Sequence, residues 1–250
     1  MQDFIKLSNH LADEAGQIIR QYFRQPFDVE QKGDSSPVTI ADKSVEQRLR
    51  AIIEEKRPDD GIIGEEFDDK EAKNQYTWVF DPIDGTKSFV MGRPTFGTLI
   101  ALCENGVPIL GVIDQPILNE RWIGAKDHKT TFNGKDVQTV KCKDLSNARI
   151  CSTTPIMLKP SWEKLEEQSQ FMSWGGDCYA YGLLSMGGLD AVVETLLGTH
   201  DYCALAPIVN GAGGHMCDWN GNQLTIDSDG RTLAVGDIAL KDQILDIVQN

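Results

Sequence analysis

The stretch that decides the fold is Trp78-Val79-Phe80-Asp81-Pro82-Ile83-Asp84-Gly85-Thr86-Lys87-Ser88-Phe89. Its apolar beginning predicts a strand that ends at Asp81, and the proline after it turns the chain. Asp84 follows three residues later, just before a Gly-Thr pair. Two carboxylates this close repel each other unless a cation joins them, and hard divalent cations prefer such oxygen ligands. The stretch therefore predicts a metal site at the end of a strand, with a turn capped by aspartates as the alternative.

Outward from this stretch, hydrophobic periodicity predicts the other elements. Helical spacing from Phe4 to Tyr22 predicts a first helix that ends by Pro26, and a polar loop follows over residues 31–37 before a second helix over 42–56. The predicted strands are residues 61–64, 76–80, 95–103, 107–113, 121–124, 149–152 and 190–194. The later predicted helices are residues 161–170, 178–186, 201–209 and 241–248.

The order of these elements predicts the domain organisation. Helices precede a hairpin-rich sheet, and strands alternating with helices follow. This order predicts layered α and β elements, an α/β (α+β layered) fold, in one domain spanning residues 1–250. The domain has an N-terminal half of about residues 1–145 and a C-terminal half of about 146–250.

The composition limits the partners. The chain carries 24 Lys and Arg against 38 Asp and Glu, a formal net charge of −14, which argues against nucleic acid or an anionic membrane. No apolar run approaches the roughly 20 residues of a membrane helix. We see no signal peptide and expect a cytoplasmic protein. The six cysteines form no Cys-x-x-Cys pair, so carboxylates are expected to hold any metal.

Three further acidic positions carry little information alone. Glu65 stands in Gly64-Glu65-Glu66 after a predicted strand, where two adjacent glutamates are usually solvated. Asp42 and Asp201 each stand at the start of a predicted helix, where a capping role explains them.

Together these pieces resemble the inositol-monophosphatase family of Mg²⁺-dependent phosphatases. The resemblance covers nearly the whole chain, from Val38 to Gly236. The matching pieces are Gly64-Glu65-Glu66, Asp81-Pro82-Ile83-Asp84-Gly85-Thr86, His200-Asp201 and Ala206-Pro207-Ile208-Val209-Asn210-Gly211-Ala212-Gly213-Gly214. The resemblance implies an α-β-α-β-α sandwich and a homodimer.

Within the family the chain looks most like the histidinol-phosphate phosphatase branch. The residues that carry this likeness are Thr86-Lys87-Ser88-Phe89, Gly175-Gly176-Asp177-Cys178-Tyr179-Ala180-Tyr181 and Asp190-Ala191-Val192-Val193-Glu194. The resemblance implies hydrolysis of L-histidinol phosphate in histidine biosynthesis. Asn210, where many relatives carry Glu, and Thr199, where many carry an aromatic residue or Pro, depart from the family pattern.

The resemblance also implies the roles of individual residues. The implied ligands of two or three Mg²⁺ ions are Glu65, Asp81, Asp84, Asp201 and the carbonyl of Ile83. Glu65 and Thr86 would orient the metal-activated water that attacks phosphorus, and Asp42 would position a further ion or water. The implied substrate-binding residues are Glu65, Ile83, Asp84, Gly85, Thr86, Asp177, Glu194 and Asp201. Asp177 and Glu194 would bind a cationic alcohol. The alternative for Asp177 is a helix cap, and the alternative for Glu194 is an exposed position at a strand end.

Several other functions stay open. An inositol monophosphatase or a broader sugar-alcohol phosphatase would use the same metal site, whereas a 3′-phosphoadenosine phosphatase is disfavoured because no adenine-stacking insertion is evident. A phosphatase with an aspartyl-phosphate intermediate places its two aspartates two residues apart, not three. A non-catalytic, metal-dependent regulatory protein could share the fold, but all of the implied ligands are present.

Overall fold

The computed structural model describes residues 1–25, 29–31, 37–155 and 161–249, with side chains from the two short strands of 29–31 and 37–39 left aside. In this part of the chain the helices are α1 Gln2–Tyr22, α2 Ile40–Lys56, α3 Thr86–Val90, α4 Ser161–Gln168, α5 Asp177–Ser185, α6 Thr199–Gly211 and α7 Lys241–Val248. Pro26, predicted to end the first helix, and residues 32–36 of the predicted loop lie outside the described residues.

The strands form two large sheets and one short pair. The pair is β1 Val29–Gln31 with β2 Pro37–Thr39. The first sheet follows sequence order and comprises β3 Gly61–Gly64, β4 Tyr76–Asp84, β5 Gly97–Glu104, β6 Val107–Gln115, β7 Glu120–Ala125, β8 Thr131–Phe132 and β9 Lys135–Asp136. The second sheet has the order β11-β10-β12-β14-β13, with β10 Arg149–Ser152, β11 Phe171–Trp174, β12 Ala191–Glu194, β13 His215–Asp218 and β14 Thr232–Val235.

The packed faces of these sheets define five layers. On the outer face of the first sheet, α1 and α2 bury Leu11 and Leu49 against Trp78 and its neighbours. Between the two sheets, α5 and α6 bury residues such as Tyr202. On the outer face of the second sheet, α4 and α7 bury Leu165 and their other apolar residues. The order is α-β-α-β-α, which confirms the predicted fold class.

Helix α6 is held tightly against the first sheet. A Cβ atom at Gly111 of β6 would collide with the carbonyl oxygen of Ala204, and one at Gly124 of β7 would collide with that of Pro207. Because only glycine permits this approach, the sheet fixes the position of α6 and of the aspartate near its first turn.

The sequence misplaced several boundaries and missed three strands of the second sheet. Strand β4 does not end at residue 80 but continues to Asp84, because a bulge between Asp81 and Asp84 keeps the proline within the strand. Strand β11 follows directly on the stretch predicted as helix, and β13 and β14 are only four residues each, too short for a clear period. Within the described residues, no helix is both long and apolar enough to cross a bilayer.

Candidate active site

Three of the predicted ligands meet at one point. Asp81 and Asp84 lie at the end of β4, and Asp201 lies in the first turn of α6. One carboxylate oxygen from each lies within 4.8 Å of the other two. The bulge of β4 places the first two side chains here, because the shifted register between them lets residues three apart in sequence share one site.

The electrostatics of Asp81 bring in the two remaining predicted acids. Its side chain is buried, and its Oδ1 atom has no hydrogen-bond partner. Burial raises the pKa of Asp81 well above its usual value, and the charges of Glu65, Asp84, Asp201 and Asp42 raise it further. Glu65 and Asp42 therefore lie near enough to Asp81 for their charges to act on it.

Two of the clustered carboxylates also accept hydrogen bonds from backbone N–H groups at the N-termini of helices. Asp84 Oδ2 accepts a hydrogen bond of 2.5 Å from the backbone N–H of Cys178 at the start of α5. Asp201 Oδ2 accepts one of 2.6 Å from the N–H of Gly198, the residue before α6. Burial raises the pKa of both carboxyls despite these bonds. Asp201 is therefore not the N-cap of α6, since Gly198 takes that place; it is the third residue of the helix, and its side chain bonds back to the Gly198 N–H while it also belongs to the cluster.

This cluster fits a hard divalent cation. Its donors are carboxylate oxygens, which Mg²⁺ prefers. Crowded, buried carboxylates are costly to ionise without a counter-charge. Lys and Arg side chains do not supply that charge: among the described residues, the basic group within ion-pair distance of these three aspartates is the His200 imidazole, whose Nε2 lies 3.7 Å from Asp201 Oδ1.

The residues after Asp84 form the neighbouring wall. Ile83 is fully buried, and its carbonyl oxygen accepts a 3.2 Å hydrogen bond from Thr86 Oγ1. Gly85 has a φ of 84°, and a Cβ atom there would lie 2.7 Å from Asp177 Oδ2. Gly85 is therefore packed directly against Asp177, the acidic residue to which the resemblance gives a substrate-binding role.

Asp177 does not cap its helix, which corrects the alternative reading. It is the first residue of α5, has a left-handed φ of 47°, and accepts a 3.0 Å hydrogen bond from Ser88 Oγ. The cap is supplied instead by Asp84. Burial raises the pKa of Asp177, which Ser88 and Lys87 partly offset, and Asp201 raises it further. Lys87 itself is exposed.

Glu194 lies at the end of β12 and is buried, so the exposed strand end is wrong. It accepts hydrogen bonds of 2.6 Å from the N–H and 2.9 Å from the hydroxyl of Thr153. Burial raises the pKa of Glu194 to about 7, and the charge of Asp177 adds to the rise. Burial raises the pKa of Tyr181 well above its usual value, and the charge of Glu194 raises it further.

Sequence reasoning missed the residues that hold these acids. Ser88 and Thr153 carry no recognisable signal. Glu46 did carry one, since it stands one turn after Asp42 among the apolar positions of α2, where a solvated glutamate is out of place. It is fully buried and accepts a 2.8 Å hydrogen bond from the N–H of Glu66.

Comparison with known proteins agrees with this geometry. The sequence profile of the inositol monophosphatase family matches residues 1–250. The chain is 45% identical over 237 residues to the chloroplastic bifunctional phosphatase IMPL2 of Arabidopsis thaliana, covering 92% of this chain and 68% of the relative. It is 36% identical over 232 residues to the histidinol-phosphatase of Chlorobaculum parvum, covering 90% of each.

Solved structures give the same result. An inositol monophosphatase from Zymomonas mobilis superposes with a TM-score of 0.91 at 45% identity, covering 100% of this chain and 98% of that one. An inositol monophosphatase from Thermotoga maritima superposes with a TM-score of 0.89 at 25% identity, covering 99% and 97%. With the profile matched over its full length and its carboxylates gathered at one site, this chain belongs to the inositol monophosphatase family of phosphatases.

Proposed function

We propose that this protein is a Mg²⁺-dependent phosphomonoesterase whose substrate is L-histidinol phosphate. The observation that carries the proposal is the pair Asp177 and Glu194, two mostly buried carboxyls beside the Asp81 cluster. The family is Mg²⁺-dependent and acts on small phosphorylated substrates. The metal cluster supports the reaction type, and the second pair of acids supports the substrate.

The acidic residues of the cluster would bind the metal. Asp81, Asp84, Asp201, Glu65 and the carbonyl of Ile83 would hold two or three Mg²⁺ ions. Mg²⁺ when bound neutralises the charge of the phosphate and increases the acidity of water.

Two residues would direct the attacking water. Glu65 would take its proton, and Thr86, whose hydroxyl is already fixed on the Ile83 carbonyl, would orient it. Asp42 would position a further ion or water. The backbone N–H groups of Gly85 and Thr86 would hold the phosphate oxygens.

The remaining acids favour a cationic alcohol. Histidinol carries an ammonium group and an imidazole, whereas inositol carries only hydroxyls. A carboxylate bonded to an ammonium gains a charge-assisted hydrogen bond, which is about twice as strong as a neutral one. Two relatives named histidinol-phosphatase, from Chlorobaculum parvum and Mycobacterium tuberculosis, are 36% and 32% identical to this chain and support the same choice.

A second candidate is an inositol or sugar-alcohol phosphatase. Its support is the name of the Zymomonas mobilis structure, an inositol monophosphatase at 45% identity, and the bifunctional name of the Arabidopsis relative. In this reading Asp177 and Glu194 bind hydroxyls. A non-catalytic regulatory role is the alternative from another class, and any metal-dependent turnover excludes it.

The deciding experiment measures phosphate release from L-histidinol phosphate, inositol 1-phosphate and 3′-phosphoadenosine 5′-phosphate, each with Mg²⁺ and with EDTA. We expect Mg²⁺-dependent hydrolysis with a strong preference for histidinol phosphate. A preference for inositol 1-phosphate would overturn the substrate and keep the metal site. No turnover of any substrate would overturn the enzymatic role itself.

We also propose a homodimer in the cytoplasm. All six cysteines are free and buried, which suits a reducing compartment. Light scattering during size-exclusion chromatography tests the dimer, since one chain has a mass of 27.7 kDa. Fractionation of the native host tests the location.

A further inference from the structure

A buried ion pair lies directly beneath the Glu65 loop. Glu46 of α2 is fully buried, and its Oε1 accepts a 2.7 Å hydrogen bond from Arg50 Nε one helical turn later. The Arg50 side chain is itself only 13% exposed. Such a pair gives little net stability, because the cost of burying two charges offsets their attraction. Its presence calls for another explanation.

Both members of the pair contact the backbone next to Glu65. Glu46 Oε2 accepts a 2.8 Å hydrogen bond from the N–H of Glu66, the next residue. Arg50 Nη2 donates a 3.0 Å hydrogen bond to the carbonyl of Phe67. On the other side, a Cβ atom at Gly64 would collide with Glu46 Oε1, so the carboxylate lies against that glycine.

These contacts leave the Glu65 backbone little freedom. The residue before it is packed on Glu46, and the two residues after it are hydrogen-bonded to the pair. Strand β3 ends at Gly64, so pairing with β4 no longer holds the chain at Glu65. Beyond Gly64, the contacts with the ion pair hold the backbone in place of the strand pairing.

We propose that Glu46, fixed by Arg50, is a positioning residue that aims the Glu65 carboxylate at the cation held by Asp81. This inference rests on the ligand role proposed for Glu65 and adds a residue that touches neither metal nor substrate. Groups that orient metal ligands typically contribute about 10- to 100-fold to metal affinity.

The chain offers a matched control at the other end of β3. Asp60, just before the strand, is also fully buried and accepts a 2.9 Å hydrogen bond from Arg57 Nε. It also accepts bonds from Trp78 Nε1 and Asn74 Nδ2, and its contacts do not reach the Glu65 loop. Asp60→Asn therefore weakens a comparable pair without disturbing the metal cluster.

The test is calorimetric titration of the purified, EDTA-treated full-length chain with MgCl₂ in the absence of substrate. Glu46→Leu removes both acceptor oxygens and is expected to weaken Mg²⁺ binding about 10- to 100-fold. Glu46→Gln keeps one acceptor and is expected to lose less. Asp60→Asn is expected to lower the melting temperature and keep the Mg²⁺ dissociation constant within about twofold of the wild type.

A second readout separates positioning from general damage. Phosphate release at increasing Mg²⁺ is expected to show a higher half-saturating concentration in the Glu46 variants, with kcat recovering as Mg²⁺ saturates. If Glu46→Leu does not fold, Glu46→Gln decides. Wild-type Mg²⁺ affinity in a folded Glu46 variant, or an equal loss in Asp60→Asn, overturns the inference. A wild-type chain that binds no Mg²⁺ overturns the proposed metal site as well.

Discussion

The carboxylate of Asp84 accepts a hydrogen bond of 2.5 Å from the backbone N–H of Cys178, across 94 positions of sequence. Asp84 ends β4, the strand that carries two of the three clustered aspartates, and Cys178 follows Asp177, the residue proposed to bind the substrate. One side chain thus joins the two parts of the site. A change at Asp84 therefore acts on cation binding through its charge and on Asp177 through its hydrogen bond.

Asp84→Asn separates these two effects. An asparagine oxygen still accepts the Cys178 hydrogen bond, so α5 keeps its start, but the negative charge is lost. We expect kcat to fall at least about 100-fold, since replacing a ligand costs no less than replacing a group that orients one. Circular dichroism should stay unchanged. Near-normal turnover would remove Asp84 from the ligand set.

Asp177→Ala tests the choice of substrate. The loss of a hydrogen bond to a charged group costs about 1.5–3 kcal/mol, so we expect KM for histidinol phosphate to rise roughly 10- to 100-fold. KM for inositol 1-phosphate should change little. Steady-state kinetics with both esters measures this difference.

The control for Asp177 lies on the same helix. Tyr179→Phe removes a hydroxyl that donates a 2.5 Å hydrogen bond to Glu120, and the ring packs on Trp122. It is expected to leave both KM values unchanged. If Asp177→Ala raises both KM values equally, Asp177 has a structural role only.

The sequence predicts those parts of the site whose functional residues lie close together in one short motif. Asp81 and Asp84 are three residues apart at the end of one strand, so their convergence is local. Convergence of Asp201 with them depends on α6 packing against the first sheet, and only the resemblance to a family indicated it. Glu46 and Ser88 act through tertiary contacts, which no local period encodes. The strands missed at residues 215–218 and 232–235 are similarly defined by their partners in the second sheet.

Removal of metal is expected to destabilise the protein most at neutral to alkaline pH. Burial raises the pKa of Asp81, Asp84 and Asp201, so the folded state binds more protons than the unfolded state. The metal-free protein should therefore lose stability as pH rises through these raised pKa values.

Mg²⁺ should reverse this loss by supplying the missing counter-charge. A ligand at 100 times its dissociation constant adds about 2.7 kcal/mol. Thermal melts with EDTA or Mg²⁺ from pH 5 to pH 8 measure the effect. A Mg²⁺-induced shift that does not grow with pH would contradict the expected role of the carboxylate cluster.

Glu194→Gln should reduce the pH dependence of stability in the same range. Burial raises the pKa of Glu194 from 4.5 to about 7, so between these values the folded state holds a proton that the unfolded state has released. The contribution of Glu194 to the free energy of unfolding is therefore fully present below pH 4.5. It falls as pH rises towards 7, by about 3 kcal/mol for the full pKa shift. Glutamine removes the titration and keeps an acceptor for Thr153.

The comparison is made in EDTA, with Thr153→Val as the control that loses a hydroxyl donor but keeps the acid. We expect the melting temperature of the wild type to fall more between pH 5 and pH 8 than that of Glu194→Gln. The melting temperature of Thr153→Val should fall with pH at least as much as that of the wild type. The Thr153 hydroxyl lowers the pKa of Glu194, so its loss raises that pKa further. Parallel curves for the wild type and Glu194→Gln would show that Glu194 ionises at an ordinary pH.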